Sequence, residues 1–499
     1  MLSSRWRHLH VFALVALTAL VAGGPVRAEK SPPAAPPAVE TLTYHGLAPD
    51  QKAFIDELER RTFDWFWESA EPYTGLVPDS WPNHTFSSVA AIGFGLTAYG
   101  IGAERGYITR EQAAERTLTT LRFLAAAPQN GSEDDAAGYR GFFYHFLDMQ
   151  TGRREARWVE LSSVDTTLLM NGVLFAQSYY DRATPQEREI RQLADRLYRA
   201  VDWPWMQARK PLISMGWTPG GQFIATDWKG YDEGKMVYLL ALGSPTHPVG
   251  DDAWAAWCST YPKQWGTFQG HTFLNFAPMF GHQYTEAWVD FRGIRDAWSR
   301  AHGLDYAENG RLAAYAQRAY AIANPGQWTG YGADVWGLTA SDGPGDLTVT
   351  SPQGVRRFSG YMARGAGLNE INDDGTIAPT AAGGSIAFAP SIVVPTLMAM
   401  KQRYGNYIYG RYGFVDSFNL SFHETPRDGR TYPGFGWADN QQLGIDQGPI
   451  LLMIENWRSG LVWKVMKKNP YIRRGLQRAG FTGGWLERAD AKAAAAALP

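Results

Sequence analysis

Apolar side chains recur three and four residues apart through most of the chain, the period of a helix buried on one side. After Asp50, which can cap a helix, Phe54, Leu58, Phe63, Phe66 and Trp67 fall on one face. Ser87 or Ser88 opens a second helix that runs to Gly106. Thr109-Arg110-Glu111-Gln112 is a capping-box pattern for a third, which stops at Pro128. Ser162 or Ser163 opens a fourth around Leu168, Leu169, Val173 and Phe175. Thr184-Pro185-Gln186-Glu187 joins a capping box to a proline at the first helical position. Helices are also expected over 232–242, 251–259, 285–301, 306–323, 385–404 and 445–468, eleven in all. Strand signal is thin. Phe142, Tyr144 and Phe146 alternate before a Thr151-Gly152 turn, which predicts a small β-hairpin within 139–159.

Helices without βαβ alternation or a short tandem repeat point to an all-α class, and a closed ring of helix pairs is the natural arrangement. The segments 204–231, 325–384 and 405–444 are long and rich in Gly, Trp and Asp, as expected of a cleft rim. Residues 1–28 read as a secretory signal: Arg5, Arg7 and His8 precede an apolar run from Val11 to Val21, and Val26-Arg27-Ala28 suits a peptidase. No Cys lies near that point to carry a lipid, so no membrane anchor is expected after cleavage, and the destination is the periplasm or the medium. The Pro- and Ala-rich 29–48 read as a disordered tether, 49–488 as one catalytic domain and 489–499 as a disordered tail.

Composition narrows the chemistry. The single cysteine, Cys258, rules out an intrachain disulfide and a Cys-based metal site. A net charge of −2 with scattered Lys and Arg argues against a nucleic-acid partner. Aromatic content is 14%, with 20 Trp and 24 Tyr. Many of these residues, Trp81, Trp203, Trp205, Trp217, Trp228, Trp328, Trp336 and Trp437 among them, sit in loop-like stretches. Flat amphipathic rings there suit the apolar faces of a sugar, although a large aromatic core would use the same residues.

Glycoside cleavage needs a proton donor for the leaving oxygen and a second carboxylate, so acids set among apolar residues are the candidates. Asp165 lies one turn into a helix, Glu233 follows a Gly- and aromatic-rich loop with Asp232 as the expected cap, and Asp446 precedes a strongly apolar helix. Glu455 lies inside that helix near Arg458, where an ion pair is the plainer role. Gly281-His282-Gln283-Tyr284 resembles a polar substrate wall more than a zinc cage, and no metal or other cofactor is expected.

Six motifs occur in order: Ser163-Val164-Asp165-Thr166; Tyr231-Asp232-Glu233; Gly281-His282-Gln283-Tyr284; Trp336-Gly337-Leu338-Thr339-Ala340-Ser341-Asp342; Asp374-Gly375-Thr376-Ile377-Ala378-Pro379; and Ile445-Asp446-Gln447-Gly448-Pro449 through Met453-Ile454-Glu455-Asn456. Together they resemble the bacterial glucoamylase-like domain family, which includes the endo-β-1,2-glucanases of glycoside hydrolase family 144 and is similar to a region of cyclic β-1,2-glucan synthases. The resemblance implies an (α/α)6 barrel and hydrolysis of β-1,2-glucan by an inverting, metal-free mechanism. It implies Glu233 as general acid, Asp446 as base and Asp165 in support. As sugar contacts it suggests Glu160, Trp217, Tyr231, His282, Gln283, Tyr284, Trp336, Asp342, Trp437, Gln447 and Glu455. A glucan is then the expected partner of a monomer. Two other classes stay open: a polysaccharide lyase with Tyr284 or His282 as base, and a glycan-binding protein without activity.

Overall fold

The structure is a computed structural model that describes residues 40–351 and 354–487. The expected signal and tail therefore lie outside the described residues, as does the tether up to residue 39. The last part of that tether, 40–48, is docked instead of disordered: a 3-10 turn at Tyr44–Gly46 buries Tyr44, over which the Arg458 guanidinium lies.

Twelve helices of the described residues alternate between two rings. The outer set is α1 (Pro49–Ser69), α3 (Arg110–Ala126), α5 (Pro185–Arg199), α7 (Asp252–Trp257), α9 (Tyr306–Ala323) and α11 (Pro390–Ile408). Between them run α2 (Val89–Arg105), α4 (Ser163–Tyr179), α6 (Lys235–Gly243), α8 (Tyr284–Trp288), α10 (Pro379–Gly383) and α12 (Gly444–Arg458). The sequence separates the two sets. Helices α3 and α5 carry a charged outer face, whereas every residue of α6, α8 and α10 is buried, as is almost all of α2, α4 and α12. A helix apolar all round must be enclosed by others, so these six form the inner ring of an (α/α)6 toroid.

The capping signals mark where the inner chain turns inward. Ser88 stands at the N-cap of α2 and Gly106 ends it in the left-handed conformation. Ser162 caps α4 by accepting the Asp165 N–H. Asp232 does not cap α6: its carboxylate takes the Gly234 N–H at 2.8 Å and the Trp257 indole N–H at 3.3 Å, so the helix starts later, at Lys235. Two long expected helices are broken. The span 285–301 divides into α8 and Ala297–His302, because Asp290 is held by Arg292 and Lys467 and Gly293 takes a positive φ. The span 445–468 divides at Gly460, also at positive φ, into α12 and Leu461–Met466. The stretch 385–404 becomes helical only from Pro390.

One small hairpin was expected; two- and three-stranded ribbons recur throughout the described residues. They bind each loop that enters an inner helix to the next such loop. Ser80–Trp81 pairs with Gln442–Leu443, and the Gly444 N–H donates to the Asp79 carbonyl at 2.8 Å, joining the entries of α2 and α12. Phe86–Ser88 pairs with Phe146–Asp148, joining α2 to α4. Leu161–Ser162 pairs with Gly216–Thr218, joining α4 to α6. The Tyr231 hydroxyl meets His282, joining α6 to α8; the Met279 N–H donates to Leu338, joining α8 to α10; and Ile377 bridges Phe418, joining α10 to α12. The six entries make a closed hoop.

Candidate active site

Every inner helix points its N-terminus into that hoop, and the acids collect there. Asp79 precedes α2; His145, Glu160 and Asp165 surround the start of α4; Glu233 occupies the turn before α6; Tyr284 opens α8. Asp342 and Tyr361 lie in the long segment before α10. Asp416, Asp439 and Asp446 belong to the approach and first turn of α12. Helix N-termini carry partial positive charge and unpaired N–H groups, which favour carboxylates.

The acids form two groups. On one side His145 lies between Glu160, at 2.9 Å from Nδ1, and Asp165, at 3.4 Å from Nε2. Burial works against a charged imidazole, yet the two carboxylates outweigh it and carry His145 up to about 9. Asp165 also accepts from the Ser162 hydroxyl. Burial raises Asp165, with His145 opposing. Asp79 is pushed up to about 7 by burial, again opposed by His145. Glu233 is driven far above the ordinary carboxylate range by burial first, then by repulsion from Asp165 and Asp232, with His145 pulling the other way.

On the other side, oxygens of Asp342, Asp416 and Asp439 converge within 4.8 Å of one another. Burial raises Asp446, and a hydrogen bond from Asp416 restrains the rise. Either group has the spacing to hold a cation, but both nitrogens of His145 already face a carboxylate, so a proton bridges that group.

Two tyrosines connect the groups. The Tyr284 hydroxyl is raised by burial and then by Asp446, Tyr361, Glu233 and Asp165. The Tyr361 hydroxyl is raised by burial and then by Asp446, Asp416, Asp342 and Glu233. Tyr361 is 37% exposed, so this side chain reaches solvent. Buried carboxyls held protonated beside others that ionise are the arrangement of acid–base catalysis.

Of the residues singled out from sequence, the hoop brings together Asp165, Glu160, Glu233, Tyr284, Asp342 and Asp446. Trp217 lies just outside this set, nearly buried and stacked on Tyr139. Seven others are corrected. His282 has no exposure; it sits between the Tyr231 hydroxyl at 3.0 Å and the Phe276 carbonyl at 3.1 Å, and burial takes it down to about 3, so it is neither a sugar contact nor a lyase base. Tyr231 is buried with it. Gln283 spends its amide on Ala381 and Ser385. The Trp336 indole donates to Thr396 at 2.8 Å and that of Trp437 to Asp428 at 2.6 Å, both fully buried. Glu455 meets Arg105 at 3.3 Å, and nine residues of helix place it about 13 Å beyond Asp446. Its expected neighbour Arg458 pairs with Asp56 and Glu59 instead. Gln447 is also buried and donates to the Phe414 carbonyl at 3.0 Å.

Asp79, His145, Tyr361, Asp416 and Asp439 were not singled out from the sequence. Asp439, two residues after Trp437 in a loop dense in polar side chains, carried the same kind of signal as Asp446. The other four carried none beyond their residue type.

The chain matches the family model described as putative glucoamylase over residues 225–470. A curated relative, the exo β-1,2-glucooligosaccharide sophorohydrolase (non-reducing end) of Parabacteroides distasonis, is 28% identical over 455 residues. That match takes in 85% of this chain but only 57% of the relative, so the chain spans little more than half of that protein's length. Among solved structures, a putative glucoamylase from Bacteroides uniformis is 30% identical, with a TM-score of 0.74 over 90% of this chain and 100% of the other. The endo-β-1,2-glucanase of Chitinophaga pinensis, in complex with sophorotriose and glucose, is 29% identical, with a TM-score of 0.74 over 88% of this chain and 100% of that one.

Proposed function

The chain belongs to the glucoamylase-like family, and from that premise we propose that it is a glycoside hydrolase of β-1,2-linked glucan. The relatives that act on β-1,2-glucans support the substrate class. The observation that carries the mechanism is that Glu233, in the turn before α6, and Asp446, in the first turn of α12, stand at entries of inner helices that are laced into one hoop, so the two acids belong to the same end of the toroid.

In this reading Glu233, kept protonated by its surroundings, gives its proton to the glycosidic oxygen as the C1–O bond breaks. Asp446 takes a proton from the water that attacks C1 on the opposite face, and the anomeric configuration inverts. Glu233 ends as carboxylate and Asp446 as acid, and exchange with solvent restores both. Asp165, held by Ser162 and His145, keeps a repulsive charge near Glu233 that favours its protonated form. The reading also places the protein outside the cytoplasm, on the strength of the basic and apolar run at residues 5–21.

The test is incubation with linear β-1,2-glucan, with the product anomer read by NMR and product sizes by chromatography. We expect the α-anomer first, as short oligosaccharides or sophorose. Absence of any cleavage, or products that absorb in the ultraviolet as elimination products do, would refute the hydrolase reading.

A further inference from the structure

Asp416 is 1% exposed. Its Oδ2 accepts the Asp342 amide N–H at 2.7 Å, and its own N–H donates to the Gln441 carbonyl at 2.9 Å. Its Oδ1 has no N–H or O–H donor from the described residues. A buried carboxylate with one bare oxygen pays a heavy desolvation penalty, and the cost falls if that oxygen carries a proton. The surroundings leave little choice. Asp342 and Asp439 stand within 4.8 Å, and Asp439 too has one oxygen without a donor. The cation drawn towards this side, Arg364, is committed to Asp374 at 2.8 Å and to the carbonyls of Ser341, Ser359 and Gly360. Asp446 differs in that it sits in the first turn of α12, where backbone N–H groups and the helix dipole favour an anion.

We propose that Asp416 is a positioning residue that carries the proton of an Asp416–Asp446 pair and donates it to the Asp446 carboxylate, holding that group ionised and turned to the chamber. The titration behaviour agrees: Asp416 is raised well above the ordinary range, by burial first and then by Asp446, while the bond from Asp416 lowers Asp446. Asp342, Asp79 and Asp439 all push Asp446 upward, and the hydroxyls of Tyr284 and Tyr361 feel its charge. Asp416 is a side-chain hydrogen-bond partner of Asp446 on that side. The inference rests on Asp446 being the base, as proposed above.

An amide reproduces a neutral carboxylic acid: its oxygen can accept from Asp342 and its NH2 can donate to Asp446. The full chain carrying Asp416→Asn should therefore keep kcat/KM on linear β-1,2-glucan to within about tenfold, with the acidic limb of its pH profile unmoved. Asp416→Leu should lose about a hundredfold or more near pH 6, with that limb displaced to higher pH, because an undonated Asp446 ionises less readily. If Asp416→Leu does not fold, Asp416→Asn decides alone. An acidic limb displaced to lower pH in the amide would mean that a negative charge had been removed, and would overturn the proposal. So would an Asp416→Asn as inactive as Asp446→Asn, or loss of parental activity on adding EDTA, which would assign these oxygens to a metal. Failure of the underlying reading looks different: no turnover by the parent, or parental turnover by Asp446→Asn.

Discussion

Gly93 and Gly172 stand back to back where α2 crosses α4. A methyl group on Gly93 would lie 2.1 Å from the Leu168 carbonyl oxygen, and one on Gly172 would lie 2.1 Å from the carbonyl oxygen of Gly93. The neighbours are backbone, so neither helix can yield by a side-chain rotation. Since α2 and α4 deliver Asp79, His145 and Asp165 to the chamber, this contact sets the site as well as the core. We expect Gly93→Ala to lower unfolding stability by roughly 1–3 kcal/mol, the usual cost of overpacking. Urea denaturation of the purified variant measures it. A midpoint equal to that of the parent would mean that the helices part without cost.

Glu233→Gln removes the proposed proton donor with almost no change in shape. Its kcat should fall by about 10²–10⁴ while KM moves little, since the loss arises only in the transition state. Steady-state kinetics on linear β-1,2-glucan, with calorimetry to show that glucan still binds, separates this outcome from a folding defect. Parental turnover would shift the acid role to another residue of the hoop.

The raised carboxyls also predict how stability depends on pH. Asp79 and Asp232 are carried up to about 7, in both cases by burial first, and Glu233 lies well above its ordinary value. Groups whose folded pKa exceeds the unfolded one stabilise the protein fully below the unfolded pKa, near 4, and lose that contribution as pH rises through the folded value. The carboxylates lowered by ion pairs, such as Asp290 and Asp374, gain theirs as pH rises through the same low region and change little above pH 5. Thermal unfolding should therefore occur at a higher temperature at pH 5.5 than at pH 8. His145, carried up to about 9, extends the decline further into alkali.

Lys235 and Glu286 pair with essentially no exposure, under the rings of Tyr231, Phe291 and Tyr306. Lys235→Met leaves a buried carboxylate without its cation, and we expect a loss of roughly 3–5 kcal/mol. Chemical denaturation should show that Glu286→Gln, added to Lys235→Met, returns part of the loss. A double variant no more stable than the single would place the damage in packing instead of charge.

Much of the fold was legible because its signals are local. Ser88, Thr109, Ser162 and Thr184 end up where their capping patterns put them, and the apolar runs after Ser88 and Ser162 belong to the inner ring. The breaks were not legible: Asp232 has the chemistry of a cap, and only a tertiary contact with the Trp257 indole shows that it serves a turn. The loop tryptophans misled for a related reason. Gly-rich stretches read as exposed, yet the long segments fold back on themselves around a small core of Trp328, Phe358, Phe422 and Trp437. In the site, Glu233 and Asp446 stood out through their neighbours in sequence. Asp79 and Asp416 gain their meaning from groups hundreds or tens of residues away, which no local pattern records.

Because the acids are set where six inner helices begin, and those beginnings are laced to one another, their spacing is a property of the whole circle and not of any single loop. The outward parts of the same segments, such as the ribbon of Leu347–Ser351 and Gly354–Phe358, are not part of that lacing. They can lengthen, shorten or change character without disturbing the proton chemistry beneath them. Relatives of this architecture are thus free to trade a trough that admits the middle of a polymer for a pocket that takes only its end, leaving the machinery at the floor untouched.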